Sequence, residues 1–212
     1  MKQIFEKIYA GDAWGGTSGD GSHFPYAAPY ADLLQYCLKT WNVTSVVDLG
    51  CGDWGFSRHI RWDAIRYLGV DCVEKVIEQN RKSFATDLIQ FQTLDAAQDQ
   101  LPPADLLLVK DVLQHWSNAK VRQLIPTFQR FARVLVTNDL IAAQPRQLNQ
   151  DIPDGDFRPI DLMAPPFNLP AHEILIYTNA SRLPSEPIRW VKKTIVIARN
   201  SPAVSAPQSP ST

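Results

Sequence analysis

Short apolar runs alternate with segments of helical periodicity along most of this chain. The most continuously apolar of them, residues 105–111, is typical of a parallel strand that is covered on both faces of a sheet. The runs predict five strands, which end near Asp48, Asp71, Asp95, Asp111 and Asn138. Two further runs, residues 174–177 and 191–198, predict a closing hairpin. Four of the five predicted strands therefore have an acidic residue at their end.

The segments between these runs carry apolar residues at helical spacing and predict four helices, at residues 29–41, 54–62, 73–84 and 117–132. Pro126 should bend or break the last of them. Alternating strands and helices specify a parallel sheet with right-handed crossovers. The predicted fold is therefore α/β and Rossmann-like: a mostly parallel seven-stranded sheet, one antiparallel strand near the C-terminus, and helices on both faces.

Three segments fall outside this alternation. Residues 1–25 contain a glycine-rich stretch, which is either a floppy leader or a lid that covers a ligand with Trp14 and Phe24. Residues 139–170 form a long proline-rich insertion, which we expect on the substrate side of the domain and whose aromatic residues argue against disorder. Residues 200–212 are rich in Ser, Pro and Ala and are expected to be disordered. The remaining domain spans residues 26–199.

Composition narrows the function classes. At 212 residues and 45% apolar content, the chain fits one globular domain. A net charge of −1 gives no general attraction to nucleic acid or to an anionic membrane. No apolar run approaches the ~20 residues of a membrane-spanning helix, and the first residues lack a signal-peptide core. The three cysteines show no metal-ligand spacing, so we expect a reduced, cytoplasmic protein without a metal site.

The turn after the first strand contains Gly50, Gly52 and Gly55, the spacing of a dinucleotide-binding loop. Asp48 argues against that interpretation, because its carboxylate would repel a pyrophosphate by about 1–4 kcal/mol per charge pair at an effective dielectric of 80 to 20. The same carboxylate favours a ligand with an ammonium group. S-adenosylmethionine (SAM) offers an ammonium and a sulfonium and carries no phosphate, so SAM is the predicted cofactor.

Acidic residues at the ends of the next two strands fit a nucleoside. Asp71 follows Gly50 by 21 residues and can accept hydrogen bonds from both ribose hydroxyls, although an acid there can also cap the next helix. Asp95 is a candidate for the adenine amino group, and a solvated turn is an equally good explanation for it. This spacing is shared by NAD and SAM proteins, so it supports a nucleoside without choosing between them.

The Asp48-Leu49-Gly50-Cys51-Gly52 turn resembles the first motif of class I SAM-dependent methyltransferases. Residues 14–199 resemble a small bacterial family of these enzymes with largely unassigned substrates. Two further stretches carry that resemblance, residues 18–22 (Ser-Gly-Asp-Gly-Ser) and residues 155–168. The resemblance implies that Asp48, Gly50 and Gly52 hold the methionine end, Asp71 the ribose and Asp95 the adenine, with Lys110 and Asp111 beside the sulfonium. The other predicted cofactor-binding residues are Trp14, Ser18, Cys51 and Cys72.

Methyl transfer from a sulfonium needs little more than alignment, so the catalytic residues are less well determined. His115 is the best-placed candidate base, although packing is a common reason for a histidine at this position. Asp111 and Asp156 are the other candidates. Asp156 could bind substrate together with Arg158, or the two could form a structural ion pair. Pro165-Pro166-Phe167 suggests a DNA amino-methyltransferase, but Ala164 precedes it where an Asp or Asn is needed.

We therefore predict a SAM-dependent methyltransferase that acts on an oxygen or nitrogen of a small molecule, a sugar or a protein side chain. No nucleic-acid or membrane partner is expected, and the oligomeric state is left open. Two alternatives remain: a small NAD(P)-dependent oxidoreductase and a non-catalytic SAM-binding domain.

Overall fold

The computed structural model describes residues 1–11, 18–141 and 146–199 of the chain. Within these ranges a seven-stranded sheet has the order β3-β2-β1-β4-β5-β7-β6. The strands are β1 (Ser45–Leu49), β2 (Arg66–Asp71), β3 (Ile89–Thr93), β4 (Leu106–Lys110), β5 (Arg133–Ile141), β6 (His172–Thr178) and β7 (Val191–Ala198). Strands β1 to β5 are mutually parallel, and β7 pairs antiparallel with both β5 and β6. The predicted fold class is confirmed.

The centre of the sheet is the most thoroughly buried part of the molecule. Every residue of β4 is buried, which agrees with its continuously apolar sequence. The long helices are α1 (Lys2–Ala10), α2 (Phe24–Thr40), α3 (Glu74–Phe84) and α4 (Asn118–Leu124). Helices α2 and α3 cover one face of the sheet. Helix α4, the turn at Ile125–Arg130 and parts of the insertion cover the other face.

The predicted helix at residues 54–62 is absent. The structure has a single 3₁₀ turn there, Ser57–His59, and Trp54 has a φ of 58°. The glycine turn therefore leads into no regular helix, and no helix dipole faces the ligand side of β1. The apolar side chains of this segment are buried against α2 and β2 instead. These packing contacts determine the conformation of residues 54–62.

Two other helix boundaries differ from the sequence prediction. Helix α2 begins at Phe24 rather than at Pro29, with Pro25 in its first turn, where proline is tolerated, and Pro29 inside it. Helix α4 ends at Leu124 and continues as a 3₁₀ turn, so the expected break at Pro126 is confirmed. Helix α1 was not predicted. It lies within the N-terminal segment 1–25. Trp14, which was expected to cover a ligand, lies outside the described residues, and so does the tail 200–212.

The described part of the insertion is held by buried polar contacts. Asn149 donates through Nδ2 to the carbonyls of Asp161 and Pro165, and its Oδ1 accepts from the Asp161 amide. Asp151 and Asp154 accept from the first amides of α4. The insertion thus packs against the segment that connects β4 to α4. Among the helices that the structure describes, none is long and apolar enough to cross a membrane.

Candidate functional site

A cavity of about 270 Å³ lies at the carboxyl edge of the parallel strands. Its wall follows the sheet order: Asp95 after β3, Asp71 in β2, Asp48 in β1, Lys110 in β4, Asp139 in β5 and Lys192 in β7. Helix α1 contributes Phe5 and Tyr9 to the same wall, together with Met1 just before it. Ligands of open α/β sheets bind at this edge because the strand ends and their loops meet there.

The glycine turn leaves room for another part of the chain. Gly50 and Gly52 have φ of 70° and 53°, a region that L-residues rarely adopt. A Cβ on Gly52 would lie 2.3 Å from Ser18 Oγ, and one on Gly55 would lie 2.8 Å from the Ser22 carbonyl oxygen. The segment 18–22 therefore lies against the turn, where a dinucleotide-binding protein leaves space for pyrophosphate. Gly52 and Gly55 therefore allow segment 18–22 to pack against the turn.

Backbone donors at this turn are already engaged. The Gly52 amide donates to Asp71 Oδ2 at 3.2 Å, and the Asp53 amide donates to Ser18 Oγ at 2.7 Å. Tyr9 shares a 2.8 Å hydrogen bond with the same Ser18 hydroxyl. Ser18, one of the predicted cofactor residues, thus joins α1 to the glycine turn and lines the cavity.

Asp71 is buried and accepts from the amides of Gly52 and Val73, one to each oxygen. The second of these bonds is a helix-capping contact at the start of α3, the alternative role that the sequence left open. Each carboxylate oxygen accepts more than one hydrogen bond, so capacity remains on the cavity side. Burial raises the pKa of Asp71 above its usual value. Cys51 and Cys72 line the same region as protonated thiols, since burial raises the pKa of Cys72 to about 12.

Asp48 is buried at the end of β1 and accepts a 2.7 Å hydrogen bond from the Tyr67 hydroxyl. Burial raises the pKa of its carboxyl to about 6, while the bond from Tyr67 and the nearby Lys110 ammonium oppose that shift. Near neutral pH the residue is a largely ionised carboxylate in a confined space. An ammonium group that bound beside it would replace the hydration that burial has removed.

We expect Asp48→Asn to change how stability depends on pH. A carboxyl whose folded-state pKa is about 6 rather than 3.8 favours folding below pH 4, and this contribution is lost as pH rises through 6. The span corresponds to about 3 kcal/mol. His115 has the opposite slope, because burial lowers its pKa to about 4. Urea unfolding of both proteins from pH 4 to 7 isolates Asp48: the variant gains stability relative to wild type as pH rises. A constant difference would contradict the buried carboxylate.

Asp95 lies at the far end of the cavity and contacts the start of the chain. Its Oδ2 accepts from the Met1 ammonium at 2.9 Å, and this pair lowers the pKa of the carboxyl although partial burial opposes it. A second oxygen caps the turn at Ala97. The Asp95 carboxylate is therefore a hydrogen-bond acceptor on the cavity wall, and the segment at α1 covers it.

The opposite end of the cavity holds four charged side chains, which we call the acceptor-side network: Lys110, Asp111, Asp139 and Lys192. Lys192 Nζ lies 2.6 Å from Asp111 Oδ1 and 2.6 Å from Asp139 Oδ1. Lys110 pairs with Asp111 Oδ2 and donates to the Gly21 carbonyl at 2.6 Å. Asp111 has a φ of 58°, which turns its side chain away from the strand path. Two cations and two carboxylates compensate each other in a buried site.

Three residues of this end were missed by the sequence prediction: Asp139, Trp190 and Lys192. Asp139 lies in β5 just after its parallel pairing with β4, so the rule of acids at strand ends would have found it had the predicted strand been extended by one residue. Lys192 is only 3% exposed although it is a lysine in a strand, and a buried lysine is itself a signal. Trp190 precedes that strand and is buried with its Nε1 unpartnered among the described residues.

The predicted catalytic residues have different surroundings. His115 lines the cavity, and its Nδ1 lies 3.0 Å from the Asp156 carbonyl oxygen. The Asp156 carboxylate lies outside the cavity wall and contacts Arg146 and the Phe157 amide. Arg158 is fully buried and donates to the carbonyls of Leu113 and Trp116 rather than to Asp156. Of the residues that the structure describes between 146 and 171, none lines the cavity.

The residues present fit SAM. Asp71 and Asp95 line one end of the cavity with acceptors that would suit a nucleoside, and Asp48 adds a carboxylate that would suit the ammonium. Phe24, expected as part of a lid, instead contacts His59 with a centroid distance of 4.1 Å. Phe5 and Tyr9 of α1 are aromatic residues that do line the cavity. Among the described residues no cluster of metal-ligating side chains occurs.

Comparison with solved structures gives the same fold. Magnesium protoporphyrin IX methyltransferase from Synechocystis PCC 6803, solved with S-adenosylhomocysteine (SAH), is 15% identical, with a TM-score of 0.65 over 94% of this chain and 100% of that chain. Human N-acetylserotonin methyltransferase is 14% identical, with a TM-score of 0.57 over 94% of this chain and 55% of that chain. The match to the methyltransferase domain of bacterial CtHen1, at 19% identity and a TM-score of 0.46, covers 52% of this chain and only 65% of the other.

No curated protein matches the sequence significantly. The O-methyltransferase domain family does match, over residues 30–152, which include the glycine turn, β1 to β5 and most of the cavity wall. That range covers more than half of the chain. The chain therefore belongs to the O-methyltransferase domain family and contains a class I SAM-dependent methyltransferase domain.

Proposed function

We propose that this protein transfers the methyl group of SAM to an oxygen atom of a small organic molecule. The observation that carries the proposal is the division of one cavity between a nucleoside end at β2 and β3 and a charged end at β4, β5 and β7. We infer an oxygen atom as the methyl acceptor from the O-methyltransferase domain family. The small acceptor follows from the cavity, which α1 covers on the side of Met1, Phe5 and Tyr9.

The roles of the chain's residues follow from their order along the sheet. Asp71 and Asp95 would hold the nucleoside, and Asp48 with the Gly50–Gly52 turn would hold the amino-acid end. When bound, SAM supplies an activated methyl group on a sulfonium. The protein has to bring the acceptor oxygen to about 3–3.5 Å from that methyl carbon, in line with the bond that breaks. The carboxylates of β1 and β2 would fix SAM for that alignment, and the opposite end of the cavity would receive the acceptor.

We further propose that α1 is the lid of the 1–25 segment and that residues 26–199 form the catalytic domain. The lid assignment is supported by three contacts of α1 and its flanks: Met1 with Asp95, Tyr9 with Ser18, and Ile4 with Gly155. A Cβ on Gly155 would lie 2.4 Å from Ile4 Cγ2. Helix α1 and its flanks therefore contact Asp95 after β3, Ser18 beside the glycine turn, and Gly155 of the insertion.

We also propose that the protein is cytoplasmic and that its substrate is not a nucleic acid. All three cysteines are free thiols, as is usual in a reducing compartment. The net charge of −1 offers no electrostatic attraction for a polyanion.

The proposal is tested by methyl transfer from labelled SAM into fractionated bacterial cell extract, followed by mass spectrometry of the labelled compounds. We expect a labelled small molecule that carries the methyl group on oxygen. Asp71→Asn is the control, and it should weaken SAH binding about 10- to 100-fold in calorimetry because a charged ribose acceptor is lost. SAH binding without transfer to any fraction would instead identify a non-catalytic SAM-binding domain.

A further inference from the structure

We propose that Asp139 is the catalytic base, that it receives the proton of the acceptor hydroxyl, and that Lys192 positions it. The inference rests on the proposed oxygen methylation and deepens it, because it assigns the acceptor subsite to β5 and β7. Neither residue belongs to the parts of the cavity that bind the cofactor.

The sheet order determines where the acceptor must lie. A ligand whose nucleoside is at β2 and β3 and whose amino-acid end is at β1 places its reactive centre near the boundary of β1 and β4. Adjacent strands lie about 4.8 Å apart, so the next positions along the edge belong to β4, β5 and β7. Asp139 and Lys192 are direct partners in the β5–β7 register and line the cavity there.

Asp139 has one oxygen fixed and one oxygen available. Its Oδ1 accepts from Lys192, and its backbone amide donates to Gln114 Oε1 at 3.0 Å, which fixes the residue from two sides. No described residue donates to its Oδ2, although the side chain is only 9% exposed. A nearly buried carboxylate oxygen without a donor on a cavity wall is expected to accept from a ligand.

A second orphaned polar group lies at the same end. Trp190 lines the cavity, and its Nε1–H is buried without a partner among the described residues. Lys192 Nζ lies 4.9 Å from the centre of the Trp190 ring, so the indole and the network form one surface. An acceptor hydroxyl that reaches Asp139 Oδ2 would therefore lie beside the Trp190 side chain.

The other candidate bases are less suitable. Asp111 has both oxygens on lysine ammoniums, and those cations lower its pKa to about 2. His115 is half-buried, which lowers its pKa to about 4, and its Nδ1 contacts the Asp156 carbonyl. Burial raises the pKa of Asp139, although Lys192 opposes that shift. Proton acceptors work best when their pKa lies near the working pH.

The reaction balances without a further reagent. The acceptor O–H proton moves to Asp139 Oδ2 as the acceptor oxygen forms a bond to the methyl carbon. The bond between that carbon and sulfur breaks, and its electron pair stays on sulfur, which leaves as neutral SAH. The positive charge of the sulfonium is lost as the negative charge of Asp139 is neutralised, so the net charge of the site is unchanged.

The titratable groups that face Asp139 are Lys192 of β7, Lys110 and Asp111 of β4, and Tyr177 of β6. Transfer should be fastest when Asp139 is ionised, so the rate falls as pH is lowered through its pKa. Removing the Lys192 ammonium raises that pKa further, because the cation lowers it in the wild type. The acid limb of the profile should then move to higher pH.

The test compares Asp139→Asn, Lys192→Met and Lys193→Met, using labelled SAM and the compound that wild-type protein labels. Lys193 is the matched control, since it neighbours Lys192 but bonds Asp161 at 2.8 Å outside the cavity wall. We expect Asp139→Asn to lower transfer at least 100-fold while SAH affinity in calorimetry stays within about threefold, which also shows that the variant is folded. Lys192→Met should displace the acid limb to higher pH, and Lys193→Met should leave it unchanged.

A readout that needs no acceptor uses carboxyl ¹³C NMR of aspartate-labelled protein, with the Asp139 resonance identified by its loss in Asp139→Asn. Its titration midpoint should move to higher pH in Lys192→Met and stay in place in Lys193→Met. Transfer by Asp139→Asn within threefold of wild type, or an unmoved midpoint in Lys192→Met, overturns this inference and leaves the proposed function standing. Failure of wild-type protein to label any compound overturns both.

Discussion

Arg158→Met is expected to lower the free energy of unfolding by about 3–5 kcal/mol. The guanidinium is fully buried, donates to the carbonyls of Leu113 and Trp116 at 2.6 and 2.9 Å, and donates to Asn118 Oδ1 at 2.9 Å. Methionine fills part of the volume but leaves three buried acceptors without donors. The segment around His115 would then lose three buried hydrogen bonds that attach it to the insertion.

Arg146→Met is the matched control, because Arg146 belongs to the same insertion but is exposed. Its ion pair with Asp156 is 3.4 Å long and its 2.6 Å hydrogen bond to the Phe157 carbonyl is exposed, so the loss of both should cost under about 1 kcal/mol. Both values come from urea unfolding followed by circular dichroism at pH 7. Equal losses in the two variants would mean that the buried guanidinium does not hold the insertion to the β4–α4 connection.

Gly52→Ala is expected to destabilise the protein by about 2–4 kcal/mol and to weaken SAH binding. Two causes add: a φ of 53° strains any residue with a Cβ, and that Cβ would lie 2.3 Å from Ser18 Oγ and 2.7 Å from Ser18 Cβ. The segment 18–22 would have to move away from the glycine turn. Tyr9 would lose its hydrogen-bond partner as a result.

A double-mutant cycle separates the two causes. Ser18→Gly removes the atoms that the new Cβ would meet, so Gly52→Ala should cost less in that background, and only the backbone strain of about 1–2 kcal/mol should remain. Calorimetry with SAH and thermal unfolding of all four proteins give the coupling. An equal cost in both backgrounds would show that segment 18–22 does not lie against Gly52.

Much of the sheet was predictable because its signals are local. Short apolar runs predicted β1 to β5, and the closing hairpin identified the antiparallel strand that distinguishes this fold from a dinucleotide domain. Acids at strand ends identified Asp48 and Asp71 as cavity residues. A parallel sheet converts sequence position into spatial position, since every strand end meets the same edge. The position of these two residues on the cavity wall could therefore be predicted from the sequence.

The remainder depends on contacts between distant segments. Residues 54–62 were predicted to form a helix, but burial of Trp54 and Trp62 against β2 fixes another conformation. The third glycine of the turn is explained by Ser22, which lies 33 residues earlier in the sequence and could not be matched with it. Lys192 becomes part of the site only through its antiparallel pairing with Asp139. Such pairings carry no local signature.

The β5–β7 register has a consequence for how acceptor choice can change. Lys192 and Lys193 are consecutive, so one lysine pairs with Asp139 at the cavity wall and the other bonds Asp161 of the insertion. In the proposed assignment SAM is held by strands β1 to β3, which lie in the other half of the sheet. On that assignment, substitutions in the C-terminal hairpin would change which compounds are methylated and leave the SAM half intact. A one-residue slip of that hairpin would exchange the two lysines and disable both tasks together.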